Sequence, residues 1–168
     1  MQTMTVEAAE ALAVVRALEA AGIRYVLSGG WGIDALVGVQ TRAHSDLDVG
    51  VDAGHVDDII RLLGTLGYAA TVDQRPARVE LRAADDRAVD LHPIEWDADG
   101  SGRQRGFAGK VYFYPDGSTV VGRIAGESVA CVSHELQLEF HSGYESTERD
   151  RVDLAALKRQ RAELQSPP

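Results

Sequence analysis

Cysteine occurs once in this chain, at Cys131, so no intrachain disulfide can form and a cysteine-built zinc site is implausible. Its neighbours Val129, Ala130 and Val132 are mostly apolar, which predicts a packed rather than a reactive thiol. No apolar run approaches the length of a membrane span, and the N-terminus lacks a basic stretch followed by an apolar one. A soluble cytoplasmic protein with no membrane partner is the expectation. Basic residues are in deficit, 17 against 26 acidic ones, for a net charge of −9. A nucleic-acid partner calls for a basic stripe, so none is expected; a cationic small molecule is compatible with this balance. Internal repeats and low-complexity linkers are missing, as are the Walker A and G-x-G-x-x-G fingerprints. The 168 residues, 45% of them hydrophobic, suffice for one domain with a substantial core.

What stands out against this background is Ser45-Asp46-Leu47-Asp48-Val49-Gly50-Val51. Leu47, Val49 and Val51 alternate as in a β-strand, so Asp46 and Asp48 project together from its other face. Aspartate is depleted in strands, and two like charges side by side cost energy unless a cation lies between them. Hard cations such as Mg²⁺ take carboxylate oxygens and commonly bring phosphates with them. A third carboxylate, Asp90, lies in Val89-Asp90-Leu91-His92-Pro93, where Asp90 and His92 share the polar face. Upstream, Val79-Glu80-Leu81-Arg82 reads as a strand joined to it through the turn Ala84–Arg87, a hairpin. If the Asp90 strand lies beside the Asp46/Asp48 strand, three carboxylates converge. They can then hold metal around a nucleoside triphosphate, or one metal plus a general base. His92 either braces this surface or acts on it directly.

The segment Ser28-Gly29-Gly30 follows an apolar strand, Tyr25-Val26-Leu27, and precedes a short helix over 31–37. Glycines let backbone N–H groups approach an anion, and a helix N-terminus adds a favourable dipole. Ser28 adds a hydroxyl, and Arg42 brings a guanidinium suited to bidentate phosphate contact or left in solvent.

Further along, the periodicity predicts helices over 5–21 and 55–66 and strands at about 68–72, 78–83 and 88–94. Residues 97–109, rich in Gly and Arg, read as a solvated turn or a mobile substrate loop. Lys110–Tyr114 and Ser118–Ile124, joined by Pro115-Asp116-Gly117, predict a hairpin in which Tyr112 and Tyr114 share a face. Two helices follow, over 132–141 and 147–164, the second capped by Thr147 and Asp150. Ser166-Pro167-Pro168 reads as a frayed end.

Gly29-Gly30, then Asp46-x-Asp48, then a distant strand aspartate, Asp90, resembles the nucleotidyltransferase superfamily with a polymerase-β-like palm. The longer string Gly29-Gly30-Trp31-Gly32-Ile33-Asp34-Ala35-Leu36, with Gln40-Thr41-Arg42-x-His44-x-Asp46-Leu47-Asp48, is similar to the small lincosamide and aminoglycoside 2″-type nucleotidyltransferases. Val89–Pro93 and Phe140-His141-x-Gly143-Tyr144 look like further blocks of that family. Fifteen residues separate Gly30 from Asp46, more than in the general superfamily pattern.

This resemblance implies an α+β fold, a mixed β-sheet palm flanked by helices over about 1–125, with C-terminal helices over about 126–165. It implies Mg²⁺-dependent transfer of AMP, or another nucleoside monophosphate, from ATP or another triphosphate to a small-molecule hydroxyl, with release of pyrophosphate. The acceptor would be a lincosamide or aminoglycoside antibiotic, giving resistance; a metabolite or protein hydroxyl, or a silent nucleotide-binding module, is the alternative. Asp46 and Asp48 would ligate metal, and Asp90 would complete that site or take the proton of the attacking hydroxyl. Ser28, Gly29, Gly30, Arg42 and Arg149 would hold the triphosphate. For the acceptor, His92, Glu80, Tyr112, Glu135 and Glu139 are candidates, and a homodimer would close the cleft. Glu80, Glu95, Glu135 and Glu139 would suit a polycationic aminoglycoside; Tyr112, Tyr114, Trp96 and Phe140 would suit a lincosamide.

Overall fold

Alternating apolar residues build the strands that carry the polar cluster. A computed structural model describes residues 4–142 and 145–167. Its central strand, β2 (Asp46–Asp52), buries Leu47, Val49 and Val51 completely. It pairs antiparallel with β1 (Tyr25–Leu27) on one side and parallel with β5 (Ala88–Trp96) on the other. The expected hairpin is present, with β4 (Arg78–Arg82) antiparallel to β5, and β3 (Ala69–Gln74) continues the sheet beyond β4. Val79, Leu81, Val89 and Leu91 complete the apolar face. Against that face pack α1 (Ala8–Ala20), through Leu12, Val15 and Leu18, and α3 (Val56–Gly64), through Ile59 and Leu63. Each fully buried aliphatic side chain here contributes roughly 1.5–3 kcal/mol.

Helix α2 (Gly29–Val37) starts two residues earlier than expected, directly after Ser28, so its first turn contains both glycines. Three expectations are corrected in the second half of the chain. Part of the 97–109 turn is a strand, β6 (Gly102–Arg105), which pairs with the end of β5 through Ile94↔Gln104. The hairpin expected between 110–114 and 118–124 does not form. Instead β7 (Val111–Tyr114) pairs with β6, and β8 (Thr119–Ile124) pairs with β9 (Glu127–Val132). Strand β9 was not anticipated: it lies parallel to β1 at Leu27↔Cys131, so the sheet continues past residue 125 and the following helix begins only at His134.

The sheet order is β3-β4-β5-β2-β1-β9-β8, with β6 and β7 attached at the end of β5. Cys131 is fully buried in β9, and burial pushes its thiol up to about 12, as a packed cysteine requires. On the carboxylate face, a smaller core of Val26, Ile94, Tyr114, Val132 and Leu136 seats α4 (His134–Phe140). Helix α5 (Glu148–Gln165) packs Ala156 and Leu157 on Ile33 of α2. Its cap is the expected one: Thr147 Oγ1 accepts from the Asp150 N–H at 3.3 Å, and the Thr147 N–H donates to Asp150 Oδ2 at 2.8 Å. Ser166 and Pro167 are exposed, and Pro168 lies outside the described residues. No helix among the described residues is long and apolar enough to cross a membrane.

Candidate active site

The parallel register of β2 and β5 sets Asp48 directly beside Asp90, and Asp46 precedes Asp48 on the same strand face. Neighbouring strands lie roughly 5 Å apart, so the three carboxyl groups share one surface. Oxygen and nitrogen atoms of Asp48, Asp90 and His92 come within 4.8 Å of one another. His92 Nε2 stands 3.0 Å from Asp48 Oδ1, while Arg78 Nε donates to Asp90 Oδ1 at 3.0 Å.

The electrostatics report crowded negative charge. Burial, then the charges of Asp48 and Asp90, raise the Asp46 carboxyl to about 6. Asp90 is likewise raised, first by burial, and His92 and Arg78 offset part of the effect. For His92, burial opposes the charged form, but the hydrogen bond to Asp48 and the charges of Asp48 and Asp90 outweigh it and raise the imidazole. A partly buried acidic cluster that resists full ionisation fits a divalent cation, which supplies the missing positive charge.

Ser28 N–H donates to the Asp48 carbonyl at 3.1 Å, so the glycine turn begins beside the carboxylates. Gly29 adopts φ +59°, and a Cβ there would stand 2.9 Å from Asp48 Cγ. At Gly30 a Cβ would meet Arg42 Nη2 at 2.6 Å. Both positions therefore demand glycine, and both, in the first turn of α2, line the cleft.

Arg42 lines the cleft, but its guanidinium is held by α5: Nε and Nη2 donate to the two oxygens of buried Asp153 at 2.9 and 3.0 Å. That pairing holds the Arg42 guanidinium above its ordinary value. The loop carrying Arg42 is pinned further by His44, which meets Asp34 with both side chains buried, and by Thr41, which donates to the same aspartate. Arg149, exposed in the first turn of α5, reaches Ser45 Oγ at 3.5 Å, and its charge favours the ionised form of Asp46.

These residues line a cleft of about 580 Å³, within the range of small-molecule sites. Ser28, Gly29, Gly30, Arg42, Asp46, Asp48, His92, Tyr112 and Arg149 all line it; Asp90 is not among the lining residues and stands beside Asp48 in the strand ladder. Its far wall is aromatic: Phe140 packs edge-on against Tyr112 and Tyr114, with ring centroids 5.6 and 5.2 Å apart. Three acceptor candidates lie elsewhere. Glu135 and Glu139 are exposed on the outer side of α4, and Glu80 is bound by Arg78 and Arg82 away from the cleft lining. Gly143 and Tyr144 fall outside the described residues.

Sequence reasoning missed Arg78, Asp153 and Gln137, all of which line the cleft. Gln137 is 1% exposed and its Nε2 has no hydrogen-bond partner among the described residues. The burial pattern of α4 was the missing signal, because Leu136 and Gln137 turn inward where the two glutamates turn outward.

Comparison with known proteins agrees with this geometry. A sequence model of the aminoglycoside-2″-adenylyltransferase family matches residues 10–157. The chain belongs to that family. It is 38% identical over 136 residues to a lincosamide resistance protein of Staphylococcus haemolyticus, covering 81% of this chain and 84% of the relative. The crystal structure of the lincosamide antibiotic adenylyltransferase LnuA, lincomycin-bound, is 35% identical and superposes with a TM-score of 0.83, covering 92% of this chain and 98% of that one. ANT(2″)-Ia in complex with adenylyl-2″-tobramycin is 20% identical, with a TM-score of 0.69 over 94% and 92% of the two chains, and shares the fold. The chain is thus a nucleotidyltransferase with the polymerase-β-like α+β fold, in a family of antibiotic adenylyltransferases.

Proposed function

We propose that this enzyme transfers AMP from ATP to a hydroxyl of a lincosamide and releases pyrophosphate. The alignment of Asp48 with Asp90 at the mouth of the glycine turn carries this reading. The triphosphate lies against Ser28, Gly29 and Gly30, where the N–H groups and dipole of α2 face it, and Arg149 adds charge from α5. Asp46 and Asp48 are the residues that would hold Mg²⁺, which offsets triphosphate charge and acidifies a bound hydroxyl. Asp90 Oδ1 accepts from Arg78, leaving Oδ2 to take the proton of the attacking hydroxyl. His92 orients Asp48. The rest of the rate comes from holding the two substrates in line.

The cleft favours a lincosamide over an aminoglycoside. A polycationic drug calls for unpaired carboxylates, yet Glu80, Glu135 and Glu139 lie outside the cleft, and Asp153 is taken by Arg42. The Tyr112–Phe140–Tyr114 wall instead suits a ligand with one amine and more apolar surface. The test is incubation with ATP, MgCl₂ and either lincomycin or tobramycin, followed by mass spectrometry and a pyrophosphate assay. Adenylyl-lincomycin is expected. Adenylyl-tobramycin alone overturns the choice of drug class, and no pyrophosphate with either overturns the acceptor assignment.

The Asp46 carboxyl gives a pH signature. Its folded value, about 6, lies above the unfolded one. It therefore favours the folded state fully below the unfolded value, and that advantage is lost as pH rises through about 6. Above that pH Asp46 is ionised and a cation beside it relieves the charge; below it, cation and proton compete for this carboxyl. Thermal melts should show MgCl₂ raising Tm at pH 8 and having little effect at pH 5. An equal rise at both values would contradict this.

A further inference from the structure

Phe107 is 58% exposed and makes no ring contact among the described residues, yet it lines the same cleft as the carboxylates. We propose that Phe107, at the tip of the β6–β7 hairpin, is an acceptor-selecting residue that covers the apolar part of the drug. This rests on the lincosamide reading above and extends it to one residue of the 97–109 segment.

Three observations carry it. First, the tip is built to hold Phe107 in place. Gly106 lies flush on the Tyr112 ring, where a Cβ would stand 2.8 Å from Tyr112 Cε2. The Gly106 N–H donates to the Lys110 carbonyl at 2.7 Å and the Lys110 N–H to the Phe107 carbonyl at 3.1 Å. Ala108 and Gly109 turn the chain back with φ of +54° and +75°.

Second, the tip belongs to the acceptor side of the cleft. In the sheet order, Ser28 follows β1 on one side of β2, and Asp90 and His92 stand on β5 on the other. The groups suited to phosphate, Ser28–Gly30 and Arg149, come from the β1 side and α5. The β6–β7 hairpin grows from the β5 side, along the same edge of β5 beyond the start of β4 at Arg78. A ligand reaching Phe107 therefore approaches from Asp90, the side of the attacking hydroxyl.

Third, Phe107 continues an existing aromatic wall, since Gly106 rests on the ring of Tyr112 and Tyr112 packs on Phe140. An exposed phenyl ring beside that wall gains by covering apolar ligand surface and excluding water from it.

The test is steady-state kinetics of Phe107→Ala with lincomycin and ATP varied separately. The KM for lincomycin should rise roughly tenfold, the KM for ATP should stay at its wild-type value, and Phe107→Leu should recover most of the loss. Phe113, 51% exposed but on the opposite face of β7 from Tyr112, is the control, and Phe113→Ala should change neither constant. An unchanged lincomycin KM in Phe107→Ala, or an equal rise for ATP, overturns the proposal. If the wild-type enzyme leaves lincomycin unmodified, the lincosamide reading fails and this assignment falls with it. If it modifies lincomycin and Phe107→Ala matches it, this assignment alone fails.

Discussion

Asp48→Asn should lower adenylyl transfer by about a thousandfold while the protein stays folded. The substitution keeps side-chain volume and removes one charge from the centre of the cluster. Asp48 is tied into the site on three sides: His92 bonds it, Asp90 lies in register with it, and Gly29 backs onto it. The loss corresponds to roughly 4 kcal/mol of transition-state stabilisation, the scale expected when a cation site at a charged reaction centre is broken. Stability should be held or improved, because one of the two like charges that raise Asp46 disappears. Turnover by the variant and the wild type, alongside melting curves for both, checks the two halves together. Wild-type turnover would remove Asp48 from the site. A collapse in Tm would show that the charge matters to folding rather than to transfer.

Gly29→Ala is expected to cost more activity than its one added methyl group suggests. The backbone there has φ +59°, a conformation that costs an L-residue about 1–2 kcal/mol. The new Cβ would also press on Asp48, whose own backbone is fixed by the β2 ladder and by the hydrogen bond from Ser28 N–H. The carboxylate must swing out of line, and a displacement of about 1 Å can cost two orders of magnitude in rate. We expect kcat to fall about a hundredfold and Tm by a few degrees. Gly38→Ala separates the two effects. Gly38 has φ +85° with open space around its Cβ position, at the far end of the same helix. That variant should lose stability alone and keep wild-type kcat. If Gly29→Ala behaves like Gly38→Ala, the steric link from the turn to Asp48 is not functional.

The site and the fold were legible to different degrees, and the reason is the range of the interactions that fix them. Period-two alternation placed Asp46, Asp48, Asp90 and His92 on strand faces, because side-chain direction in a strand is decided one residue at a time. The glycine pair before a short helix was readable for the same reason. The pairing of β2 with β5 entered the sequence reading only as a condition, and the parallel register Asp48↔Asp90 supplies it. By contrast, Pro115-Asp116-Gly117 predicts a hairpin that the molecule does not use. Turn residues allow a reversal, but they do not choose ladder partners. Strand β7 finds β6 along the free end of β5, and β8 finds β9, which must reach β1 across more than 100 residues of chain.

Helix orientation was hidden in the same way. Glu135 and Glu139 seemed natural ligands for a cationic drug, yet α4 turns them to solvent and buries Gln137, because the apolar core under Leu136 sets the rotation of that helix. The partner of Arg42 was equally invisible: Asp153 is 111 residues away and sits in an otherwise ordinary helical pattern. What the amino-acid order determined by itself was two strands with carboxylates on one face and a glycine turn ahead of a short helix, since each depends on neighbours in the chain. What only the tertiary structure decided was which cationic side chains hold the acidic groups and which residues wall the cleft. Those choices depend on long-range strand pairing and helix packing, where residues distant in sequence compete for the same few contacts.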